Sequence, residues 1–134
     1  MAVRWYAPQI EGIVRAAAMR GVMTGIGIVE QRAVDLIMEP PKSGRVYRRR
    51  GVAHQASAPG EAPANDQGTL VNARRIELLS AELAARLIFS ARHARLLEDG
   101  TRNMEPRPFA KRALFETQAD VRAAIEGEVR AALR

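Results

Sequence analysis

The chain reads as one domain built on two long helices that flank an irregular basic middle, with one apolar segment deciding between an all-α and an α+β class. Three observations carry this. Apolar residues recur at helical spacing over residues 7–38 and again from about Arg107 to Leu133, and the intervening stretch 40–72 (PPKSGRVYRRRGVAHQASAPGEAPANDQGTLVN) has no sustained period. At 134 residues, a single domain spanning 1–134 is the expectation.

In the first helix, Met19, Val22, Ile26, Val29, Ala33 and Leu36 alternate spacings of three and four, which places them on one stripe. Ile10, Ile13, Val14 and Ala17 continue an apolar face upstream, while Arg15, Glu30, Gln31, Arg32 and Asp35 fall largely off it. Pro8 suits a first turn, and Pro40-Pro41 stops the helix. Gly21, Gly25 and Gly27 each cost about 0.8–1 kcal/mol relative to alanine, so either the helix breaks there or a neighbouring backbone packs close.

Residues 40–72 are rich in Pro, Gly, Ala and Ser, and a stretch of that length without regular structure tends to be functional or disordered. It reads as a protruding arm, basic at RVYRRR and nearly neutral at ASAPGEAPAND. The next segment, ARRIELLSAELAARLIFSA (73–91), fits a helical stripe through Ile76, Leu79, Leu83 and Leu87. It fits equally two short strands about a turn at Ala81-Glu82; propensity leans to helix, and period alone leaves both open. RHARLLEDG suits a short helical turn closed by Gly100. The prolines of TRNMEPRPF enforce an extended step into a last helix with Phe109, Ala113, Leu114, Val121, Ala124, Ile125, Val129 and Leu133 on its apolar side.

Hydrophobic residues make up 47% of the chain but aromatics only 4%, so the core is built from Ala, Leu, Ile, Val and Met. A chain this short buries only about two-thirds of its unfolded surface, which favours an oligomer that completes the burial. Without cysteine, disulfides, thiolate metal sites and cysteine nucleophiles are excluded. Two histidines, His54 and His93, are too few for an all-histidine metal site. MAVRWYAPQI lacks the apolar stretch of a signal peptide, and no run is expected to reach the ~18 residues of a membrane span. The default is a protein of a reducing cytoplasm, with no membrane partner.

The net charge of +6 is concentrated. Residues 1–39 carry four arginines against four acids and 76–134 carry ten bases against nine acids, whereas 40–75 carry seven bases against Glu61 and Asp66. A localised excess points to a polyanionic or acidic partner. Within it, Arg45, Tyr47, Arg48, Arg49 and Arg50, with Lys42 upstream, form the strongest chemical feature. Guanidinium groups pair bidentately with phosphate, and a mobile arginine loop attracts a nucleic-acid backbone regardless of sequence. Contact with acidic surfaces of a protein neighbour accounts for the same residues.

Catalytic chemistry finds little support. GVMTGIGIVE has glycines but neither the lysine nor the preceding strand of a phosphate loop, and no serine sits in a nucleophile elbow. Glu98 and Asp99 are adjacent, so their side chains diverge rather than share a proton, and they read as solvated capping charges. His93, between Arg92 and Arg95, reads as a surface histidine, and His54 lies in the arm. No catalytic residue, metal ligand or cofactor is nominated, and the chain is not expected to be an enzyme.

Three segments in fixed order resemble a known family: PPKSGRVYRRR (Pro40–Arg50), APGEAPANDQGTLVNA (Ala58–Ala73) and HARLLEDGTRNMEPRPFAKRAL (His93–Leu114). They are similar to the small neck proteins of long-tailed phages, the head–tail connector or tail-completion family, over about residues 8–115. The resemblance rests most on Leu96–Thr101 followed by Pro106-Arg107-Pro108-Phe109, and it departs from the family at His93, Leu96, Asp99 and Thr69.

That resemblance implies an α+β subunit with a long N-terminal helix, an extended basic loop, a small antiparallel sheet and a C-terminal helix, so 73–91 becomes a hairpin. It implies a structural virion protein whose copies, six being the number the resemblance suggests, form a ring at the neck that joins the DNA-filled head to the tail around a DNA channel. Its partners are then other copies, the neighbouring neck, connector and tail proteins, and double-stranded DNA in the channel. Its location is the virion, and the host cytoplasm during assembly. Gly100, Thr101, Pro106, Arg107, Pro108 and Phe109 would hold the last helix at a fixed angle, with Gly100→Val more damaging than Glu98→Ala. Lys42, Arg45, Tyr47, Arg48, Arg49 and Arg50 would reach a neighbour or the lumen. The alternative is a small nucleic-acid-binding accessory protein acting through the arginine arm.

Overall fold

The computed structural model describes residues 7–39, 42, 44, 46–49, 51–58, 61–64 and 68–134, with the backbone alone at Tyr47, Arg49, Val52 and His54. Helix α1 runs Ala7–Met38, strands β1 (Val46–Arg49) and β2 (Val52–Gln55) follow, then a short helix α2 (Thr69–Asn72) and strands β3 (Arg74–Leu79) and β4 (Ala84–Phe89). Helix α3 (Ala94–Asp99) and the long helix α4 (Ala110–Ala132) complete an α+β chain.

Helices α1 and α4 are antiparallel and form the frame. Arg32 pairs with Glu116 at 2.7 Å near one end, and Arg20 with Glu128 at 3.2 Å near the other. Between them, Gly21 faces Ile125 and Gly25 faces Val121. The helix does not break at its glycines; Gly21 and Gly25 lie on its buried stripe with Ala17, Val29, Ala33, Leu36 and Ile37. The expected stripe therefore turns in its upper half, where Met19, Val22 and Ile26 are only half-buried. Small residues replace them at the seam because α4 comes too close for branched side chains. Residues 7–13 run on past the end of α4, leaving Ile10 and Ile13 half-exposed.

By length and composition α1 is also apolar enough to cross a membrane, contrary to the expectation that no run would reach that length. Its arginines are used within the protein, however. Arg20 meets Glu128, and Arg15 donates to the Ala81 carbonyl at 2.9 Å.

Residues 73–91 form a hairpin, resolving the open choice against helix propensity. β3 and β4 are antiparallel in the register Arg74↔Phe89 to Leu79↔Ala84. Leu83 turns the chain with φ +51°, after one 3₁₀ turn at Ser80–Glu82. The strands are stable here because β4 packs across α1, burying Leu87 and Phe89 against the core. Tertiary burial decides what local propensity could not.

The arm carries more structure than its composition suggests. β1 and β2 form a second antiparallel hairpin, Val46↔Gln55 to Arg49↔Val52, turning through Gly51 at φ +78°. Gly44 extends its base, donating to the Ala56 carbonyl at 2.9 Å. Of the segment expected to protrude, Ser57, Ala62 and Leu70 are buried, the latter two in the core with Val29, Leu36, Phe109 and Ala113. Ser57, Ala62 and Leu70 therefore belong to the body and not to a protrusion.

Phe109, Leu36 and Ile37 are the largest fully buried side chains. At about 1.5–3 kcal/mol each, they leave a thin core for a chain of this length.

Candidate functional site: the basic arm and the step into the last helix

The step from α3 to α4 is built from a series of local devices. Glu98, on the last turn of α3, turns its carboxylate onto the first turn of α4. It accepts from the backbone N–H of Phe109 at 3.0 Å, Ala110 at 3.1 Å and Lys111 at 2.8 Å. These are donors that a helix N-terminus leaves unsatisfied, and a carboxylate there also complements the helix dipole. The sequence reading of Glu98 as a solvated capping charge holds for the capping, while the residue is half-buried and the helix it caps is α4 rather than its own. Its partners lie eleven to thirteen residues away, beyond the reach of any capping-box spacing.

Gly100 ends α3 with φ 75° and ψ 177°, a conformation nearly confined to glycine. Its N–H donates to the Leu96 carbonyl at 2.8 Å, and a β-carbon there would stand 2.8 Å from the Pro106 nitrogen. Thr101 and Met104 then close a tight turn by exchanging backbone hydrogen bonds of 2.8 and 3.2 Å. The Arg107 N–H donates to the Leu97 carbonyl at 2.6 Å, and its Nη1 donates to the Ser57 hydroxyl at 3.2 Å, tying this step to the base of the arm. Pro108 is half-buried and Pro106 exposed. Phe109, 1% exposed, meets Phe89 edge-on with ring centres 4.9 Å apart. Gly100, Thr101, Pro106, Arg107, Pro108 and Phe109 thus lie on one junction that fixes where α4 starts.

Asp99 adds an ion pair to Lys111 at 2.8 Å. The hydrogen bond from Lys111 holds the Asp99 carboxyl below its usual range and raises the lysine. Glu116 is likewise held low, by hydrogen bonds from Arg112 and then Arg32, and Arg32 is raised in return.

The basic residues separate into two groups. Lys42, expected to reach outward, turns inward instead. Its ammonium donates to the Leu36 carbonyl at 2.8 Å and the Ala62 carbonyl at 3.0 Å, closing the C-terminal end of α1 onto the returning arm. Burial there pushes its pKa down. Arg74, counted in the same basic excess, pairs with Glu30 at 2.8 Å and donates to the Val71 carbonyl at 2.6 Å. Arg48 is exposed on β1. Tyr47 and Arg49 occupy β1 positions opposite His54 and Val52. Arg45 and Arg50, like Pro40 and Pro41, lie outside the described residues.

Among the described residues no group of three or more His, Asp or Glu is placed to hold a metal ion. His93 is exposed at the start of α3. A signal for the arm hairpin was present in the sequence: β-branched and aromatic residues (Val46, Tyr47, Val52) stand on either side of Gly51. Both faces carry polar residues, so no alternation stood out.

Scans against protein-family models, curated proteins and solved structures find no match to this chain.

Proposed function

We propose that this chain is a non-enzymatic structural subunit whose copies form a ring at the neck of a tailed phage, joining the DNA-filled head to the tail and leaving a channel for DNA. The observation that carries the reading is the unfinished apolar surface of the single subunit. Ile10, Ile13, Ile76, Leu78 and Leu114 are among the large hydrophobic residues it exposes, while among the described residues the fully buried large side chains are few. We read these residues, at the start of α1, on β3 and on α4, as surface that other copies cover.

The placement at a phage neck rests on the resemblance carried by Pro40–Arg50, Ala58–Ala73 and His93–Leu114. A heterologous contact repeated around an axis closes into a ring. The junction at Gly100 and Glu98 suits such a subunit, because a fixed entry to α4 fixes the angle between copies. Mechanism is then geometric: complementary surfaces above and below, with the β1–β2 arm reaching a neighbour or the lumen.

The exposed Arg48 supports the second reading, a nucleic-acid-binding accessory protein. The internal use of Lys42 and Arg74 weakens it by removing two cations from the patch. Cryo-electron microscopy of the particle tests the first reading: a ring of this chain in the neck density is expected, and a neck fully occupied by other chains overturns it.

A further inference from the structure

Helix α4 carries a second stripe on the side turned away from α1. Phe115, Ala119, Arg122, Glu126, Val129 and Leu133 are spaced four, three, four, three and four, the spacing of a coiled-coil seam. All are exposed except half-buried Val129, with Phe115 at 75% and Leu133 at 61%. The stripe spans about 27 Å at 1.5 Å per residue. It is not the face that packs on α1, which presents Ala113, Thr117, Val121 and Ile125.

The stripe is complementary to itself when reversed. Laid antiparallel on a second copy, Phe115 meets Leu133, Ala119 meets Val129 and Arg122 meets Glu126, each pair occurring twice about a two-fold axis. A parallel arrangement would set Arg122 on Arg122 and Glu126 on Glu126. Charged residues at the centre of an apolar seam fix orientation and register at some cost in stability. Among the described residues Glu126 has only a loose, exposed contact with Arg130 at 3.8 Å, and Arg122 has no ion pair.

We infer that α4 is the docking surface for a second copy of this chain, paired antiparallel through this stripe. The contact is isologous and closes at two copies. It is therefore separate from the heterologous contacts a ring requires, and it stands whether or not the neck reading does. A lone helix pair falls at the small end of specific interfaces, about 1,200 Å², so the pair dissociates on dilution.

Sedimentation velocity over a concentration series tests this with Arg122→Glu, Glu126→Arg and their combination, far-UV circular dichroism confirming the fold. Each single variant is expected to weaken pairing about tenfold or more, since each converts two attractive contacts into repulsive ones. The combined variant is expected to recover wild-type pairing. A mixture of the two single variants should form pairs that neither forms alone, because a seam with two acidic centres then faces a seam with two basic ones. As the chain has no cysteine, an Ala119→Cys, Val129→Cys variant gives a second readout. Those positions are about 15 Å apart on one helix, too far for an internal disulfide, so oxidation should yield covalently linked pairs. A chain monomeric throughout, pairing indifferent to both charge reversals, or no covalent pairs on oxidation overturns the inference. Larger assemblies that ignore the charge reversals also overturn it, while leaving the ring reading in place.

Discussion

The backbone of Ile125 occupies the space a side chain on Gly21 would need: a β-carbon at Gly21 would stand 2.5 Å from the Ile125 α-carbon and 3.1 Å from its nitrogen. Two helices meet there without intervening side chains, and the seam of Ala17, Gly21 and Gly25 exists for that approach. Gly21→Ala gains about 1 kcal/mol in helix propensity. It loses more, because neither backbone can retreat without disturbing the ion pairs at both ends, and overpacking of this kind costs about 1–3 kcal/mol. A lowered thermal midpoint is expected. Gly12→Ala, at a position open to solvent, should raise the midpoint instead, through a gain in stability of up to about 1 kcal/mol. Equal midpoints for the two variants would show that the seam is not tight.

Glu98 and Gly100 set the start of α4 together. Sequence alone ranks Gly100→Val as the more harmful change, but three amide donors on one carboxylate make Glu98→Ala costly too, at about 1–2 kcal/mol for a lost helix cap. Gly100→Val adds backbone strain of about 1–3 kcal/mol to a collision with Pro106. Chemical denaturation should place both below wild type, and an unchanged midpoint for Glu98→Ala would contradict the capping role.

Lys42 and Arg48 are expected to separate stability from charge attraction. Lys42→Ala leaves the Leu36 and Ala62 carbonyls without their donor, an unsatisfied-group cost of about 1–3 kcal/mol, with little change in salt-dependent retention on a polyanion column. Arg48→Ala should do the reverse. Loss of retention without loss of stability in Lys42→Ala would return that residue to the outward-facing set.

Acid weakens the fold through Glu116 and Asp99. Both carboxyls are held below their ordinary values in the folded chain, so the unfolded chain binds protons first as pH falls. Their contribution is fully present above their unfolded values and is lost as pH drops through the folded ones. Stability should therefore decline below about pH 4.5, and Glu116→Gln should flatten that decline. A Glu116→Gln profile identical in slope to wild type would remove the linkage.

Much of the frame was legible because it rests on local patterns. The bounds of α1 follow from its apolar recurrence and from the prolines beyond Met38, and the glycine of the α3 end follows from its position after a short helical run. What was not legible depends on distance along the chain. Whether 73–91 is helix or hairpin turns on Phe89 meeting Phe109 and on β4 lying across α1, which no window of neighbours contains. Lys42 and Glu98 share the same difficulty. Neither charge has its partners within a local window until the fold brings carbonyls or amides to it, twenty residues away for the Ala62 partner of Lys42 and eleven to thirteen for those of Glu98.

The proposed role is tested most sharply by deleting the gene for this chain from the genome that carries it, isolating the phage particles the proposal requires that genome to produce, and then adding the purified protein back. DNA-filled heads and completed tails should accumulate unjoined, and the added chain should join them. Normally tailed, infectious particles formed in its absence would contradict the role outright.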